Sequence, residues 1–514
     1  MQARIAILAA LSLVAGLVAI VATVRPALAA VEDDGADCQV GSATLTSNSQ
    51  LPDPFTRING TRITTTSDWR CRRAEIKKLA EQYVYGSKPA KPTSVTGTVS
   101  NSNITVNVSH NGKNASFSAS VQLPSGSGPF PAVVVVGGLG ADTSTILGAG
   151  VAIINYDPLA VGKEGTARNN KQGAFYTIYG NTSSTGILAA WAWGVSRIID
   201  VVEQSGGSII RPSSIGVTGC SRYGKGTFAI GAFDQRIALT MPIESGSGGV
   251  PIFRGIAGES GAQPLSSAYS EQPWLGDAFS SFTGNPNNLP IDTHQIIGMI
   301  APRGLFIMEN PGVDWLATRS GSVAALAGAE IYRALGVTDN ISYWSDVTNT
   351  THCAVRNEWK APMQAYLQKF LKGGGSTTST FRIASSKAGN LSQWRSWTTP
   401  NLTGGGSTTP PPTTTPPTTT PPTTPPPGGC TVTLSPGTSW TDRFNVNLSV
   451  GGTNNWVVTI RLNGSQSLQN QWNATVTGTT GTLTARPNGN GNNFGITLYK
   501  NGNSTMPTAT CAVG

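Results

Sequence analysis

The sequence predicts a three-layer α/β domain joined to a small all-β domain. Within residues 131–347, short continuous apolar segments alternate with segments of helical periodicity. This pattern is typical of a mostly parallel sheet with helices on both faces. Residues 430–514 have no helical period and alternate between polar and apolar positions, with Gly/Asn turns between segments, which indicates a β-sandwich. A Thr/Pro stretch at 404–429 separates the two.

The individual elements follow from these periodicities. Apolar segments predict strands at 131–137, 151–157, 214–219, 238–243, 303–309 and 341–347. Helical patterns lie between them, at 185–204, 223–233, 321–335 and 357–371. In the small domain the alternating segments are 441–450, 455–462, 473–486 and 493–499.

Residues 1–30 have the order of a secretory signal peptide. Arg4 precedes a long apolar stretch, which is followed by the small-residue cleavage site A-L-A at 27–29. The stretch from Ile5 to Val24 is about long enough to span a bilayer, so an uncleaved anchor is the alternative. Because Arg25 and the A-L-A site favour cleavage, we expect a secreted, extracellular protein without membrane contact after processing.

The rest of the chain divides at a linker. At 514 residues the chain is too long for one ordinary compact domain. Residues 404–429 offer no apolar side chains for a core, and their prolines favour an extended, semi-rigid spacer. We therefore expect the α/β domain at 31–403 and the β-sandwich at 430–514, in a monomeric protein.

The charge distribution argues against nucleic acid as a partner. The formal net charge is +9, but only 12% of the residues are charged, and no cluster of Lys and Arg occurs. Binding to nucleic acid needs a concentrated basic face. Low charge with abundant Gly, Thr, Ser and Asn is more typical of extracellular proteins that handle polysaccharides.

Six cysteines behind an export signal predict three disulfides. One pair brackets the small domain, a second is local to the N-terminal region, and the third would join two distant loops of the α/β domain. The predicted pairs are Cys38–Cys71, Cys220–Cys353 and Cys430–Cys511.

Ser221 is a candidate nucleophile. The strand at 214–219 leads into G-C-S-R-Y-G-K-G, and a helical pattern follows. A serine between small residues at a strand-to-helix turn is typical of the nucleophile elbow of α/β-hydrolases, in which the helix directs its first amides toward an oxyanion. The second glycine, Gly224, comes one position later than in G-x-S-x-G. An ordinary strand-to-helix turn therefore remains the alternative.

A serine nucleophile needs a base, and the chain has three histidines. His352 follows the last strand of the α/β domain and precedes its last long helix, which is where the hydrolase order Ser, acid, His puts the base. His110 lies in a polar turn, and His294 leads into a helix before the sheet ends, so we expect both to be structural. Because the histidines are dispersed, we expect no metal and no other cofactor.

Two carboxylates compete for the position that orients the histidine. Glu244 ends the strand at 238–243, and Asp314 lies in the loop after the next main strand. Both follow the carboxyl end of a parallel strand, so position alone favours neither of them as the residue that orients the histidine.

At GVTGCSRYGKG the chain resembles the glucuronoyl esterases, carbohydrate esterase family 15, whose nucleophile motif is G-C-S-R-x-G-K. The similarity extends to WAWGVSRIID, MPIESGSGG, IAPRGLF, VDWL and the THC around position 352. The resemblance implies Ser221 as nucleophile, Glu244 as acid, His352 as base and Arg222 as an oxyanion-stabilising residue. The implied substrates are esters between 4-O-methyl-glucuronic acid of glucuronoxylan and lignin alcohols.

The same resemblance implies the residues that recognise the sugar, which are Lys225, Gln263, Glu271 and Trp315. Lysine and glutamate can hydrogen-bond sugar hydroxyls, and an indole can cover the apolar face of a pyranose. An acetyl-xylan or feruloyl esterase on the same scaffold is the nearest alternative. A non-catalytic wall-binding protein is the other.

The small domain resembles family 2 carbohydrate-binding modules, on SWTDRF, WVVTIRL, QNQWNA and FGITLYKNG. The resemblance implies that Trp440 and Trp472 are exposed and bind cellulose or xylan, and that Trp456 is buried. A third exposed tryptophan would fall near 485–492, where this chain has none. We therefore expect weaker cellulose binding or a shift toward xylan.

Overall fold

The computed structural model describes residues 31–348, 351–403, 430–439, 442–451, 453–489, 492–503 and 505–514. The chain divides into two compact units, Met1–Ser407 and Thr408–Gly514. The predicted signal peptide, the Thr/Pro linker and Trp440 lie outside the described residues.

A ten-stranded sheet forms the centre of the first unit's described part. Its strands are β1 (Ser94–Val99), β2 (Asn103–His110), β3 (Lys113–Gln122), β4 (Phe130–Val136), β5 (Ala152–Tyr156), β6 (Ile210–Cys220), β7 (Ile237–Ile243), β8 (Gly304–Met308), β9 (Ile341–Ser345) and β10 (Phe381–Ile383). They are ordered β1-β2-β3-β5-β4-β6-β7-β8-β9-β10. Pairing is parallel from β5 to β10 and antiparallel from β1 to β5. The prediction of a mostly parallel sheet is confirmed, while strands β1 to β3 and β10 are not among the predicted strands.

Helices cover both faces of this sheet. They are α1 (Thr66–Ala80), α2 (Thr143–Gly148), α3 (Ala174–Tyr179), α4 (Ile187–Gln204), α5 (Arg222–Phe233), α6 (Leu265–Ser270), α7 (Thr293–Ile300), α8 (Thr318–Ala334) and α9 (Asn357–Lys372). Over the described residues, none combines the length and the apolarity needed to cross a bilayer.

Strand β4 shows why the central strands are apolar throughout. Ala132 and Val134 contact one core, which includes α4 and α7, whereas Val133 and Val135 contact a second core, which includes α2 and α9. Because successive side chains point to opposite faces, a strand between two helical layers needs apolar residues at every position. The three-layer prediction is confirmed.

The described residues of the second unit form two four-stranded sheets. The strands are β11 (Thr431–Ser439), β12 (Arg443–Gly451), β13 (Trp456–Arg461), β14 (Ser467–Trp472), β15 (Ala474–Thr477), β16 (Thr482–Pro487), β17 (Asn493–Tyr499) and β18 (Thr508–Val513). They pair as β11-β12-β17-β14 and β15-β16-β13-β18. Trp456 is fully buried and stacks on Phe494, with ring centroids 5.0 Å apart. The all-β prediction is confirmed.

The chain contains three disulfides, and they are the three pairs that the sequence predicts. They are Cys38–Cys71, Cys220–Cys353 and Cys430–Cys511.

Candidate active site

Ser221 lies at a sharp turn between β6, which ends at Cys220, and α5, which begins at Arg222. Its φ of 61° is in the left-handed region, which is strained for a residue with a Cβ. A Cβ on Gly224 would lie 2.4 Å from the carbonyl oxygen of Ile243 in the neighbouring strand. The close approach of α5 to β7 therefore requires the glycine here, which accounts for its late position in the motif.

His352 and Glu244 are hydrogen-bonded to each other. The distance from His352 Nδ1 to Glu244 Oε2 is 2.7 Å. Glu244 follows β7 directly and is fully buried. It also accepts the backbone N–H of Cys353 at 2.9 Å and, on its other oxygen, Arg356 Nη2 at 2.9 Å. A carboxylate so placed can orient the imidazole and stabilise its protonated form.

The hydrogen bonds keep Glu244 ionised. Burial alone would raise the pKa of this carboxyl, but the bonds from His352, Cys353 and Arg356, together with the charge of Arg356, outweigh burial and lower the pKa below its ordinary value. With His352 Nδ1 bonded to a carboxylate, Nε2 is the ring nitrogen that can act as base.

Ser221 and His352 line one cavity of about 270 Å³. No hydrogen bond joins their side chains among the contacts of the described residues, and such bonds are often long before substrate binds. The disulfide between Cys220 and Cys353 links the residue before the serine to the residue after the histidine. The two loops are therefore tied together covalently next to the reacting groups.

The structure separates the other candidates from this cavity. Asp314 is exposed and pairs with Lys387 Nζ at 2.8 Å, so it does not orient His352. His294 is fully buried, with Nε2 2.9 Å from the carbonyl oxygen of Pro52, and burial lowers its pKa to about 4. His110 lies on β2, 2.9 Å from the hydroxyl of Thr93.

All of the residues that the sequence assigned to oxyanion and sugar contacts line the same cavity: Arg222, Lys225, Gln263, Glu271 and Trp315. Trp315 is 51% exposed, and its ring meets that of His352 edge to face at 5.8 Å. Gln263 Nε2 donates to Glu271 Oε2 at 2.7 Å. The cavity therefore combines one exposed indole with a set of hydrogen-bonding groups, which suits a pyranose ring.

Lys225 is the buried cation of the cavity. It lies on the first turn of α5 and donates from Nζ to the carbonyl oxygen of Ser245. Nζ also lies 5.3 Å from the ring centroid of Trp274. Burial lowers the pKa of this ammonium group to about 8.

Two functional residues were not found from the sequence. Glu164 accepts Arg222 Nη1 at 3.1 Å on one oxygen and Trp274 Nε1 at 2.6 Å on the other. It thereby orients the arginine beside Ser221 and an indole of the cavity wall. Arg356 is the second, through its bond to Glu244. Both lie in loops without a motif, so only the tertiary structure brings them to the site.

One group of potential metal ligands occurs among the described residues, consisting of Cys220, Glu244, His352 and Cys353. Its two sulfur atoms are bonded to each other in a disulfide and cannot act as thiolates. The remaining histidine and glutamate are bonded to one another. This donor set does not fit a metal ion.

A second surface of interest lies on the sheet β11-β12-β17-β14. A shallow cavity of about 420 Å³ is lined there by Arg443, Asn445, Gln469, Asn470, Trp472 and Thr497. Trp472 is half-buried, and its ring lies so close over Gly495 that a Cβ there would be 2.0 Å from the indole. One face of the indole is therefore held against the backbone of β17.

Comparison with known proteins gives a consistent result for the first unit. A family model described as glucuronyl esterase, fungi, matches residues 106–336. The 4-O-methyl-glucuronoyl methylesterase of Hypocrea jecorina is 40% identical over 376 residues, which cover 72% of this chain and 80% of that protein. The 4-O-methyl-glucuronoyl methylesterase of Podospora anserina is 41% identical, with 69% and 75% covered.

Solved structures agree. The glucuronoyl esterase catalytic domain of Hypocrea jecorina superposes with a TM-score of 0.67 at 38% identity, covering 71% of this chain and all of that domain. A Sporotrichum thermophile glucuronoyl esterase mutant in complex with methyl 4-O-methyl-β-D-glucopyranuronate gives the same TM-score at 37% identity, covering 71% of this chain and 99% of that one.

Proposed function

This chain belongs to the glucuronoyl esterase family, and from this premise we propose that it hydrolyses esters of glucuronic acid and 4-O-methyl-glucuronic acid. The natural substrates are esters that join glucuronoxylan to lignin alcohols. One observation carries the assignment of the reacting groups: the buried Glu244 carboxylate is bonded to His352 Nδ1 at 2.7 Å, beside Ser221 in one cavity. The chain is thus a serine esterase that needs no cofactor.

In the first step Ser221 Oγ attacks the ester carbonyl carbon while His352 Nε2 takes the hydroxyl proton. The imidazolium that forms is stabilised by Glu244, which stays ionised. Arg222 and the first amides of α5 stabilise the negative charge on the former carbonyl oxygen. The intermediate collapses when the C–O bond to the alcohol breaks, and His352 returns the proton to the leaving alkoxide oxygen.

The second step is hydrolysis of the acyl-enzyme. His352 Nε2 takes a proton from water, and the hydroxide oxygen attacks the acyl carbon. The bond to Ser221 Oγ breaks, and this oxygen regains a proton from His352. Glucuronic acid is released and the starting protonation states are restored.

Sugar recognition falls to the polar groups on the wall of the cavity. Lys225 and Glu271 hydrogen-bond hydroxyl groups, Gln263 holds Glu271 in position, and Trp315 covers the apolar face of the ring. In a glucuronate ester the sugar ring belongs to the acyl group and lies next to the carbonyl carbon that Ser221 attacks, whereas in acetyl and feruloyl esters of xylan the sugar is on the alcohol side. We therefore expect acetyl and feruloyl esters of xylan to be poor substrates.

The test is release of benzyl alcohol from benzyl glucuronate, with and without a 4-O-methyl group. Ser221→Ala is the matched inactive control. Activity on these esters but not on acetylated xylan or feruloyl esters supports the proposal. The reverse preference would assign an acetyl-xylan or feruloyl esterase instead, and no turnover of any ester would favour a non-catalytic wall-binding protein.

For the rest of the chain we propose an export signal at 1–30, a catalytic domain at 31–403, a linker at 404–429 and a polysaccharide-binding module at 430–514. The disulfides support an extracellular location, because disulfides persist in oxidising compartments. The half-exposed indole of Trp472, beside polar side chains on a sheet face, supports binding to cellulose or xylan.

A further inference from the structure

Glu309 is a buried carboxyl group next to the catalytic residues. It directly follows β8, is 1% exposed, and contributes no atom to the lining of the cavity. One oxygen, Oε1, accepts the hydroxyl of Ser245 at 3.3 Å, and the other, Oε2, has no hydrogen-bond partner among the residues that the structure describes. A buried carboxyl with an unpaired oxygen reduces stability, and an apolar residue of similar size would avoid this cost. The stability of the fold therefore does not explain why a carboxyl group lies at this position.

The contact of Glu309 leads to the sugar-binding groups. The hydroxyl oxygen of Ser245 accepts the backbone N–H of Val250 at 3.0 Å, so its proton is free to bond Glu309. The carbonyl oxygen of the same Ser245 accepts Lys225 Nζ. Ser245 is thus fixed on one side by Glu309 and fixes the Lys225 ammonium group on the other.

We propose that Glu309 is a positioning residue, which holds Ser245 and thereby sets the position of the Lys225 ammonium group in the sugar site. This inference rests on the proposed function, since it assigns a use to the geometry of that site. Glu309 touches neither the substrate nor Ser221. It acts on substrate binding through Ser245 and Lys225 alone.

The surroundings of Glu309 favour its neutral form. Burial raises its pKa, and the Glu244 carboxylate at the end of β7 raises it further, to about 8. The hydrogen bond from the Ser245 hydroxyl and the charge of Lys225 on α5 act in the opposite direction, and the phenol of Tyr343 on β9 also lies near. A neutral acid fills this place without adding a second negative charge beside Glu244.

The test uses two replacements of similar size. Glu309→Gln keeps a neutral carbonyl acceptor for Ser245, whereas Glu309→Met removes the acceptor and fills the space. At pH 6 with benzyl glucuronate, we expect Glu309→Gln to keep KM and kcat within about twofold of wild type. We expect Glu309→Met to raise KM by about fivefold or more with kcat little changed, because Lys225 binds the sugar alike in the ground and transition states.

Two measurements separate positioning from general damage. The first is the affinity of each variant for methyl glucuronate in a Ser221→Ala background, which should fall for Glu309→Met in parallel with the rise in KM. The second is a control at a buried carboxylate far from the cavity, Glu75→Gln, which breaks a pair with Arg72 and should lower the Tm without raising KM.

The outcomes are distinct. A wild-type KM in Glu309→Met overturns the positioning role, and an equal rise in KM for Glu309→Gln overturns the neutral form. If Glu309→Met does not fold, Ser245→Ala takes its place, since it removes the hydroxyl that Glu309 holds, and a wild-type KM in this variant overturns the positioning role. Absence of turnover by wild type would instead overturn the proposed function itself.

Discussion

Three loops carry the reacting groups Ser221, His352 and Glu244. Each of these loops contains a residue with an unusual backbone conformation. Ser221 adopts a left-handed φ at a strand-to-helix turn, and Glu244 and Cys353 also have positive φ values of 43° and 62°. Such conformations cost on the order of 1–3 kcal/mol each for residues with a Cβ. They occur together at the end of the sheet where we assign the chemistry.

Ser221→Ala should abolish turnover and leave the fold unchanged. Loss of the nucleophile removes the covalent route, which costs roughly 10⁶-fold in kcat where a serine triad is disabled. His352→Ala should be about as damaging. Steady-state kinetics with benzyl glucuronate and a thermal melt of each variant check this. Near-normal activity of Ser221→Ala would end the serine-esterase assignment.

The two competing carboxylates can be separated in the same assay. Glu244→Ala should lower kcat by several orders of magnitude, because His352 loses the group that orients it. Asp314→Asn is the matched control, and its kcat should stay near that of wild type, since Asp314 is exposed and paired with Lys387. A large loss of kcat in Asp314→Asn would contradict the assignment of the acid.

Glu309 should also leave a mark on the pH dependence of stability. Its pKa is raised from 4.5 to about 8 in the folded chain. Between these values only the unfolded chain releases the proton, so the free energy of unfolding falls as pH rises and levels off above about pH 8. The Glu309→Gln variant has no ionisable group at this position, so its free energy of unfolding does not fall for this reason. Its stability advantage should grow from pH 4.5 to 8 by on the order of a few kcal/mol, measured by urea unfolding. An advantage that does not vary with pH would contradict the raised pKa.

Among the secondary-structure elements, the site depends on the contact between the loop that carries Ser221 and the loop that carries His352. The disulfide Cys220–Cys353 spans 133 residues of sequence and joins the end of β6 to the segment before α9. Gly140, in the loop after β4, lies against it, because a Cβ there would be 2.6 Å from Cys220 Cβ. Three loops therefore pack together at the carboxyl end of the parallel strands.

Removing this disulfide should lower both activity and stability. The double variant Cys220→Ala/Cys353→Ala lacks the disulfide that restricts the unfolded chain, so its free energy of unfolding should fall by about 3–5 kcal/mol. The loops that carry Ser221 and His352 are also no longer tied together. The matched control is Cys38→Ala/Cys71→Ala, which should lower the Tm but leave kcat intact because this disulfide joins the N-terminal segment to α1 and not the loops of the site. Equal kcat values in the two double variants would show that the disulfide by the site has no catalytic effect.

At the scale of the whole molecule, the chain joins an α/β-hydrolase unit to a β-sandwich with a tryptophan on one sheet face. In the full-length protein, Trp472→Ala should weaken retention on insoluble cellulose or xylan, with at most a small decrease in the Tm of the second unit and no change in kcat on a soluble ester. The indole covers the surface of β17 and leaves a face for a pyranose ring. Unchanged retention would mean that Trp472 is not the binding face.

Trp456 provides the contrast for this experiment. It is fully buried, stacks on Phe494 and donates from Nε1 to Asn492 at 2.9 Å. Trp456→Ala should therefore unfold the second unit, since loss of a buried aromatic costs about 3–5 kcal/mol. The melting transition of the second unit should disappear while ester hydrolysis continues. A retained transition would contradict its place in the core.

The fold class, the order of the main elements and the family can be predicted from the sequence alone. The central strands are buried on both faces and are apolar throughout, so their pattern is unambiguous, and the serine motif is rare enough to identify the family. Strands β1 to β3 were missed because they are rich in Ser, Asn and Thr, with one face exposed to solvent. Such alternation is weak evidence when the apolar residues are few.

Which side chains come together in the site depends on how the whole chain packs. On position alone Glu244 and Asp314 were level, since each follows a parallel strand. The direction of the side chain separates the two residues. Glu244 is buried against His352, whereas Asp314 faces solvent and Lys387. Glu164, Arg356 and Glu309 have no motif, because their roles depend on contacts between loops distant in sequence. Periodicity and spacing report local structure, whereas burial, hydrogen-bond partners and pKa values arise from the packing of the whole chain.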